Sequence, residues 1–133
     1  MIRDMPTLGL NHYNLRAPAA LMETLRAFYV EVVGLEPGPR PAFASVGHWL
    51  YAGGRAVLHL SLAAPGEART GAAAGTFDHV AFDCTGRAAF EATLERRGIA
   101  FERARVPGST LVQVFFSDPA GNGVELDFPD EQA

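Results

Sequence analysis

Four side chains have the types and the spacing to hold a divalent metal: His12, His59, His79 and Glu125. Imidazole nitrogens with one carboxylate form a borderline-soft donor set suited to Zn, Ni, Fe(II), Mn or Co. Two histidines and a carboxylate with open positions is the arrangement of non-haem iron oxygenases. A third histidine would close a tetrahedral zinc shell, or leave a higher-coordinate metal with bound water. Open positions would let the metal act as a Lewis acid on substrate oxygens, or activate dioxygen if it is iron.

Each candidate sits in a short strand-forming stretch: Leu10-Asn11-His12-Tyr13-Asn14-Leu15, Val57-Leu58-His59-Leu60, Phe77-Asp78-His79-Val80-Ala81-Phe82 and Gly123-Val124-Glu125-Leu126. The separation within each pair, His12 to His59 and His79 to Glu125, is the same to within one residue. A lone strand histidine is usually a hydrogen-bonded core or surface residue. Here the coincidence of position, spacing and strand parity in two halves favours a shared site.

Strand parity separates the ligands from the core. His59 shares a face with Val57 and Ser61, while Leu58, Leu60 and Leu62 point the other way. His79 and Ala81 oppose Val80 and Phe82, and Glu125 and Asp127 oppose Val124, Leu126 and Phe128. On the first strand, expected over Leu8 to Leu15, His12 and Asn14 oppose Tyr13 and Leu15. Such apolar rows need helices to cover them, and each half supplies one. In the first, Pro18 suits an opening turn, Leu21, Leu25, Phe28, Tyr29 and Val32 form a stripe, and Gly34 is the stop. In the second, Arg87 to Arg97 carries Phe90 and Leu94 and ends at Gly98.

Glu36 to Pro41 is too proline-rich for a central strand and reads as a loop or edge strand. Gly47 to Tyr51 and Ala56 to Leu62 form a hairpin through Ala52-Gly53-Gly54-Arg55. A symmetric turn there sets Leu50 opposite Val57 and His48 opposite His59. The later strands are expected over Phe77 to Cys84, Ile99 to Arg105, Thr110 to Ser117 and Val124 to Phe128, with a turn at Asp118 to Gly123. The fold class is α+β: one domain of 133 residues built from tandem βαβββ modules over about 8–62 and 76–128, with a linker at 63–75. The expected result is a curved eight-stranded mixed sheet around a metal cleft, helices outside.

His48, Gln113 and Phe115 are expected to contact substrate, the last two because one of two registers turns them toward Glu125. Trp49, Tyr51 and Tyr13 read as packing residues, and Arg40, Arg103 and Arg105 as solvated unless the substrate is anionic. Cys84, the sole cysteine, lies out of phase with His79 and reads as a packed thiol. A net charge of −4 and the absence of a basic aromatic stripe argue against nucleic acid. No apolar run reads as a membrane span or signal peptide, so the expected address is cytoplasmic.

These stretches, with Ala27-Phe28-Tyr29, Val33-Gly34-Leu35 and Asp118-Pro119-Ala120-Gly121-Asn122-Gly123-Val124-Glu125-Leu126, resemble the vicinal oxygen chelate superfamily of glyoxalases, bleomycin-resistance proteins and extradiol dioxygenases. The resemblance covers roughly residues 8 to 128. It implies His12, His79 and Glu125 as ligands, His59 where glyoxalases carry Glu or Gln, a small oxygen-chelating substrate and a homodimer. Glu125 and His59 are the expected catalytic residues, in lyase/isomerase chemistry or, alternatively, ring-cleaving Fe(II) dioxygenase chemistry. A metal-bound imidazole at 59 is a poorer base than glutamate. The histidine that assists extradiol cleavage has no counterpart at Gly54-Arg55-Ala56. A non-catalytic small-molecule binder in the same cleft is the third reading.

Overall fold

The computed structural model describes residues 6–69 and 75–129. The first module runs β1 (Tyr13–Ala17), α1 (Ala19–Glu31), β2 (Glu36–Gly38), β3 (Gly47–Ala52) and β4 (Arg55–Leu62). The second runs β5 (His79–Asp83), α2 (Arg87–Arg96), β6 (Glu102–Arg105), β7 (Val112–Ser117) and β8 (Gly123–Phe128). The strands form two four-stranded mixed sheets, ordered β1-β4-β3-β2 and β5-β8-β7-β6. In both, the first strand of the module is an edge strand pairing in parallel with the last. The tandem plan read from the sequence is therefore present, as two open sheets of the same topology. No helix among the described residues is long and apolar enough to cross a membrane.

Local chemistry sets the element ends. Pro18 stands at the N-terminal cap of α1, where its missing N–H costs no hydrogen bond. Gly53 and Gly54 both take positive φ, 58° and 80°, so Ala52 pairs with Arg55 through a two-residue turn that matches strand twist. Pro37 is confined to edge strand β2, where a missing donor is tolerated. β1 begins at Tyr13, later than the expected Leu8, because β4 offers partners only from Tyr13↔Leu58 to Ala17↔Leu62. His12 thus immediately precedes its strand, and His79 opens β5. Part of the expected linker, residues 70–74, lies outside the described residues.

One apolar core joins the modules. Leu58 and Leu60 of β4, Leu50 of β3, Val124, Leu126 and Phe128 of β8, and Val114 of β7 are fully buried, as their parity requires. They meet Leu25, Phe28 and Tyr29 of α1 and Leu94 of α2 in a single cluster. Phe28 packs on Phe116, ring centroids 6.1 Å apart. Burying side chains of this size contributes about 1.5–3 kcal/mol each.

A polar contact runs through this core. Tyr29 Oη donates to Asp118 Oδ2 at 2.7 Å, linking α1 to the turn between β7 and β8. Asp118 also accepts from the backbone N–H groups of Ala120 and Asn122 through Oδ1 and from Asn122 Nδ2 through Oδ2. Burial is the main reason that the Tyr29 and Tyr13 phenols lie well above their ordinary range. Asp118→Ala would strand these donors and is expected to lower unfolding free energy by about 2–4 kcal/mol. Tyr29→Phe, which removes one donor, should cost about 1–2 kcal/mol. Urea titration of the two variants checks this; an unchanged midpoint for Asp118→Ala would remove the turn from the joint between modules.

Candidate metal centre

The first-module half of the site rests on β1 and β4. Asn14 pairs with His59 and Arg16 with Ser61, which sets Asn14, His59 and Ser61 on the face away from the helix. The His12 and His59 rings stack at 3.6 Å with an interplanar angle of 13°. His12 Nδ1 lies 2.7 Å from Asn11 Oδ1. That oxygen is an acceptor, so Nδ1 donates and Nε2 is turned away from Asn11. Ser61 Oγ donates to Asn14 Oδ1 at 2.8 Å.

β3 contributes a residue that parity alone assigned elsewhere. A register irregularity between Leu50 and Tyr51 makes Trp49 the partner of His59, His48 the partner of Leu60 and Leu50 the partner of Leu58. The symmetric-turn expectation, His48 opposite His59 and Leu50 opposite Val57, is corrected: it holds only for Tyr51↔Ala56 and Ala52↔Arg55 beside the turn. Beyond the irregularity every side chain exchanges faces. His48 consequently turns toward α1, its Nε2 2.9 Å from Glu23 Oε2, which places it off the ligand face in this chain. Trp49, read as a packing residue, stacks on His59 at 4.1 Å and 12°. Burial first, then the neighbouring His12, holds His59 below the usual histidine range, against a hydrogen bond to the Ala56 backbone that works the other way.

The second-module half rests on β5 and β8. Ala81 pairs with Glu125, and His79 with Gly123. A side chain at 123 would collide with the Asp78 carbonyl and come within 2.8 Å of His79 Cβ, so glycine is what lets His79 sit there. His79 Nε2 is 3.1 Å from Glu125 Oε1, and its Nδ1 is 2.7 Å from Asp78 Oδ2. The Asp78 hydrogen bond and then the Glu125 charge raise the His79 pKa above the usual range, against some desolvation. Gln113 Nε2 donates to Glu125 Oε2 at 2.9 Å, and Phe115 meets the His79 ring edge-on at 6.4 Å. Gln113 and Phe115 therefore take the register that turns them to the ligand face. Glu125 is 6% exposed. Asp127, one step along the same face, is pushed up to about 6 by desolvation and by Glu125.

The donor chemistry fits a divalent cation. In both modules the residue preceding the histidine, Asn11 or Asp78, fixes Nδ1 and aims Nε2 as the ligating atom, the usual support for a metal-bound imidazole. At His79 the metal would take the place of an Nε2 proton. Within one chain, however, the candidates come together only in pairs. Among the described residues no three His, Cys, Asp or Glu side chains converge in a metal-holding group. His12 and His59 line a cleft of about 470 Å³ with Asn14, Arg40 and Trp49. His79 lines another of about 340 Å³ with Asp78 and Phe115.

A larger cleft, about 540 Å³, lies between the modules and is lined by Leu35, Tyr51, Phe82, Cys84 and Phe90. It contains none of the candidate ligands, and its size alone does not outweigh the donor sets elsewhere. Its Cys84 thiol is pushed up to about 11, chiefly by burial, which makes it unreactive near neutrality. Arg103 is held by Glu91 through two hydrogen bonds. The roles of Asn11 and Asp78 had a visible signal, a polar residue immediately before each repeated histidine. Trp49 had none, because the strand irregularity that turns it inward leaves no mark in residue type.

Comparison with known proteins agrees with this architecture. The family model of the Glyoxalase/Bleomycin resistance protein/Dioxygenase superfamily matches residues 9–126. The Arabidopsis thaliana protein Glyoxylase I 4 is 33% identical over 122 residues, covering 89% of this chain and 69% of the relative. A glyoxalase-family protein from Bacillus anthracis superposes with a TM-score of 0.72 at 25% identity, over 96% of this chain and 99% of that one. Lactoylglutathione lyase from Agrobacterium tumefaciens shares the fold, with a TM-score of 0.64 at 24% identity over 93% and 96% of the two chains. With its tandem modules and the extent of these matches, the chain belongs to the glyoxalase/bleomycin resistance protein/dioxygenase superfamily.

Proposed function

We propose that the protein is a metal-dependent enzyme of the lyase/isomerase kind, acting on a small substrate that chelates the cation through two oxygens. The observation that carries this reading is the repeated histidine with its Nδ1 anchored and its Nε2 presented, once beside His59 and once beside Glu125. In this reading His12 and His59 of one chain and His79 and Glu125 of the partner subunit hold one divalent ion, so a homodimer carries two sites. The edge strand β1, just after His12, and the edge strand β5, which opens at His79, lack a neighbour on their outer side among the described residues, which is where a second copy can add. Leu8 and Leu10, on the stretch leading into β1, are 96% and 77% exposed, apolar surface suited to such a partner.

A bound cation would supply Lewis-acid polarisation of a substrate oxygen. The protein's own groups do the rest. Gln113 and His79 fix both oxygens of Glu125. Phe115 and Trp49 wall the two halves against water. His59, held neutral, serves as ligand, so proton abstraction in the manner of a glutamate at that position is not its role. The 33% identity to a glyoxylase I homologue supports lyase/isomerase chemistry. Extradiol-type dioxygenase chemistry, which the three-histidine-with-glutamate set also suits, requires redox-active iron. Elemental analysis with EPR separates the readings: zinc or nickel removes the dioxygenase, and no stoichiometric metal leaves a binding protein.

Complementation tests the shared site. His12→Ala/His59→Ala and His79→Ala/Glu125→Ala variants should each bind no metal tightly. Refolded together in equal amounts, they should recover about a quarter of wild-type metal, because each mixed dimer rebuilds one intact site. Recovery of nothing, with mixed dimers present, would return the four residues to separate roles.

In the metal-free protein, NMR titration of the imidazole rings should place His79 above the ordinary histidine value and His59 below it. The linkage signs are opposite: stability from His79 is full in acid and declines as pH rises through its folded value. His59 makes folding less favourable as pH falls below its unfolded value. Stoichiometric Zn²⁺ should abolish both titrations. Coincident titration midpoints would contradict the geometry described.

A further inference from the structure

Arg40 differs from most of the described arginines in what surrounds it, and from Arg55 and Arg96, which also lack a carboxylate partner, in lining a cleft with two histidines. Arg16, Arg26, Arg69, Arg87, Arg97 and Arg103 are each paired with a glutamate. Among the described residues Arg40 has no carboxylate partner. None of the side chains lining the cleft of His12, His59 and Trp49 is acidic, and Arg40 is part of that lining.

The guanidinium is nevertheless fixed. Nη1 donates to the Ser45 carbonyl at 3.0 Å and Nη2 to Ser45 Oγ at 3.1 Å. The group lies 4.9 Å from the Phe43 ring centroid, and Phe43 leans on Trp49 at 6.3 Å. Gly47 makes room on the other side: a Cβ there would lie 3.1 Å and 3.2 Å from Nη2 and Nε. Nε is buried, with no acceptor among the described residues. A desolvated donor in this state costs free energy unless something accepts from it, and a planar fork held in one orientation is suited to a carboxylate or phosphoryl oxygen pair.

We propose that Arg40 is the specificity-determining residue of this cleft, binding an anionic group, carboxylate or phosphoryl, of a substrate whose apolar body lies along Phe43 and Trp49. The assignment refines the metal-site reading above, because it makes the substrate bipolar: chelating oxygens at the metal and an anion at Arg40.

Trp49 is the one tryptophan of the chain and stands in the cleft, so its emission reports binding without any metal. Benzoate, phenyl phosphate and neutral benzamide would be titrated at constant ionic strength into wild type, Arg40→Gln and Arg40→Lys, with circular dichroism confirming that each variant folds. Wild type should bind one or both anions at least about tenfold more tightly than benzamide, and which anion wins identifies the group. Arg40→Gln should erase that preference, while Arg40→Lys should keep part of it. An equal affinity for benzamide, no saturable change with any probe, or a preference unaltered in Arg40→Gln would overturn the proposal. Zn²⁺ uptake measured on the same samples keeps the two readings apart: no anion preference in wild type, with its metal uptake intact, sinks only the role of Arg40. Anion preference without metal uptake sinks only the metal site.

Discussion

The buried hydrogen bond from Tyr29 to Asp118 fixes how the two modules sit on one another. Tyr29 belongs to the helix of the first module, and Asp118 to the turn that launches the last strand of the second. A buried carboxylate is tolerable only when its oxygens are satisfied, and here the turn's own N–H groups, an asparagine side chain and the tyrosine do so together. The arrangement is cooperative in a structural sense. If the turn opens, the tyrosine loses its acceptor inside an apolar core; if the helix shifts, the turn loses the donor that covers it. Because Glu125 follows this turn on β8, the direction in which the candidate ligand points is inherited from a contact on the opposite face of the sheet.

That packing has a cost for any site within one chain. Pressing the helix-side faces into a common core leaves the ligand faces of the two sheets outward, one bearing His12 and His59, the other His79 and Glu125. The side chains that could bind one ion are thereby divided into pairs. The same division leaves β1 and β5 as open edges, with a ligand histidine at the start of each. Open edges normally need protection by charge, proline or a covering element. Neither β1 nor β5 contains a proline, and two of the exposed residues before β1, Leu8 and Leu10, are large and apolar.

Much of this was legible in the chain. The pairing of His12 with His59 and of His79 with Glu125 followed from a repeat and from strand parity, both of which are properties of residue order. The βαβββ modules, the stop glycines, the Gly53-Gly54 turn and the edge position of Pro37 each had a local physical signature. The register of Gln113 and Phe115 was one of two possibilities, and pairing with β8 decided it. What was not legible came from non-local pairing. The start of β1 depends on where its parallel ladder with β4 begins, at Tyr13↔Leu58, and the face occupied by Trp49 and His48 depends on one irregularity between Leu50 and Tyr51. Parity arguments carry along a strand only until such a slip, and nothing in the residues at that point marks it.

The two ligand faces also differ in charge, and the difference bears on how they would meet. On the first-module face stand Arg40 and two stacked imidazoles, with no carboxylate lining the cleft. On the second-module face, strand pairing aligns Asp83 with Asp127 and sets Glu125 beside them. Mutual repulsion and desolvation there are strong enough to push Asp127 up to about 6. The first face carries the Arg40 charge without a carboxylate, while the second carries more carboxylates than the one His79 beside them can balance. Two such faces are complementary to each other, and complementarity of this kind steers orientation and register more than it adds affinity. In the dimer proposed above, a divalent cation would complete the balance at the centre, where imidazoles from one face would oppose carboxylates from the other. In the proposed dimer this asymmetry would favour the first module meeting the second module of another copy over like meeting like, which would set acid against acid and Arg40 against Arg40.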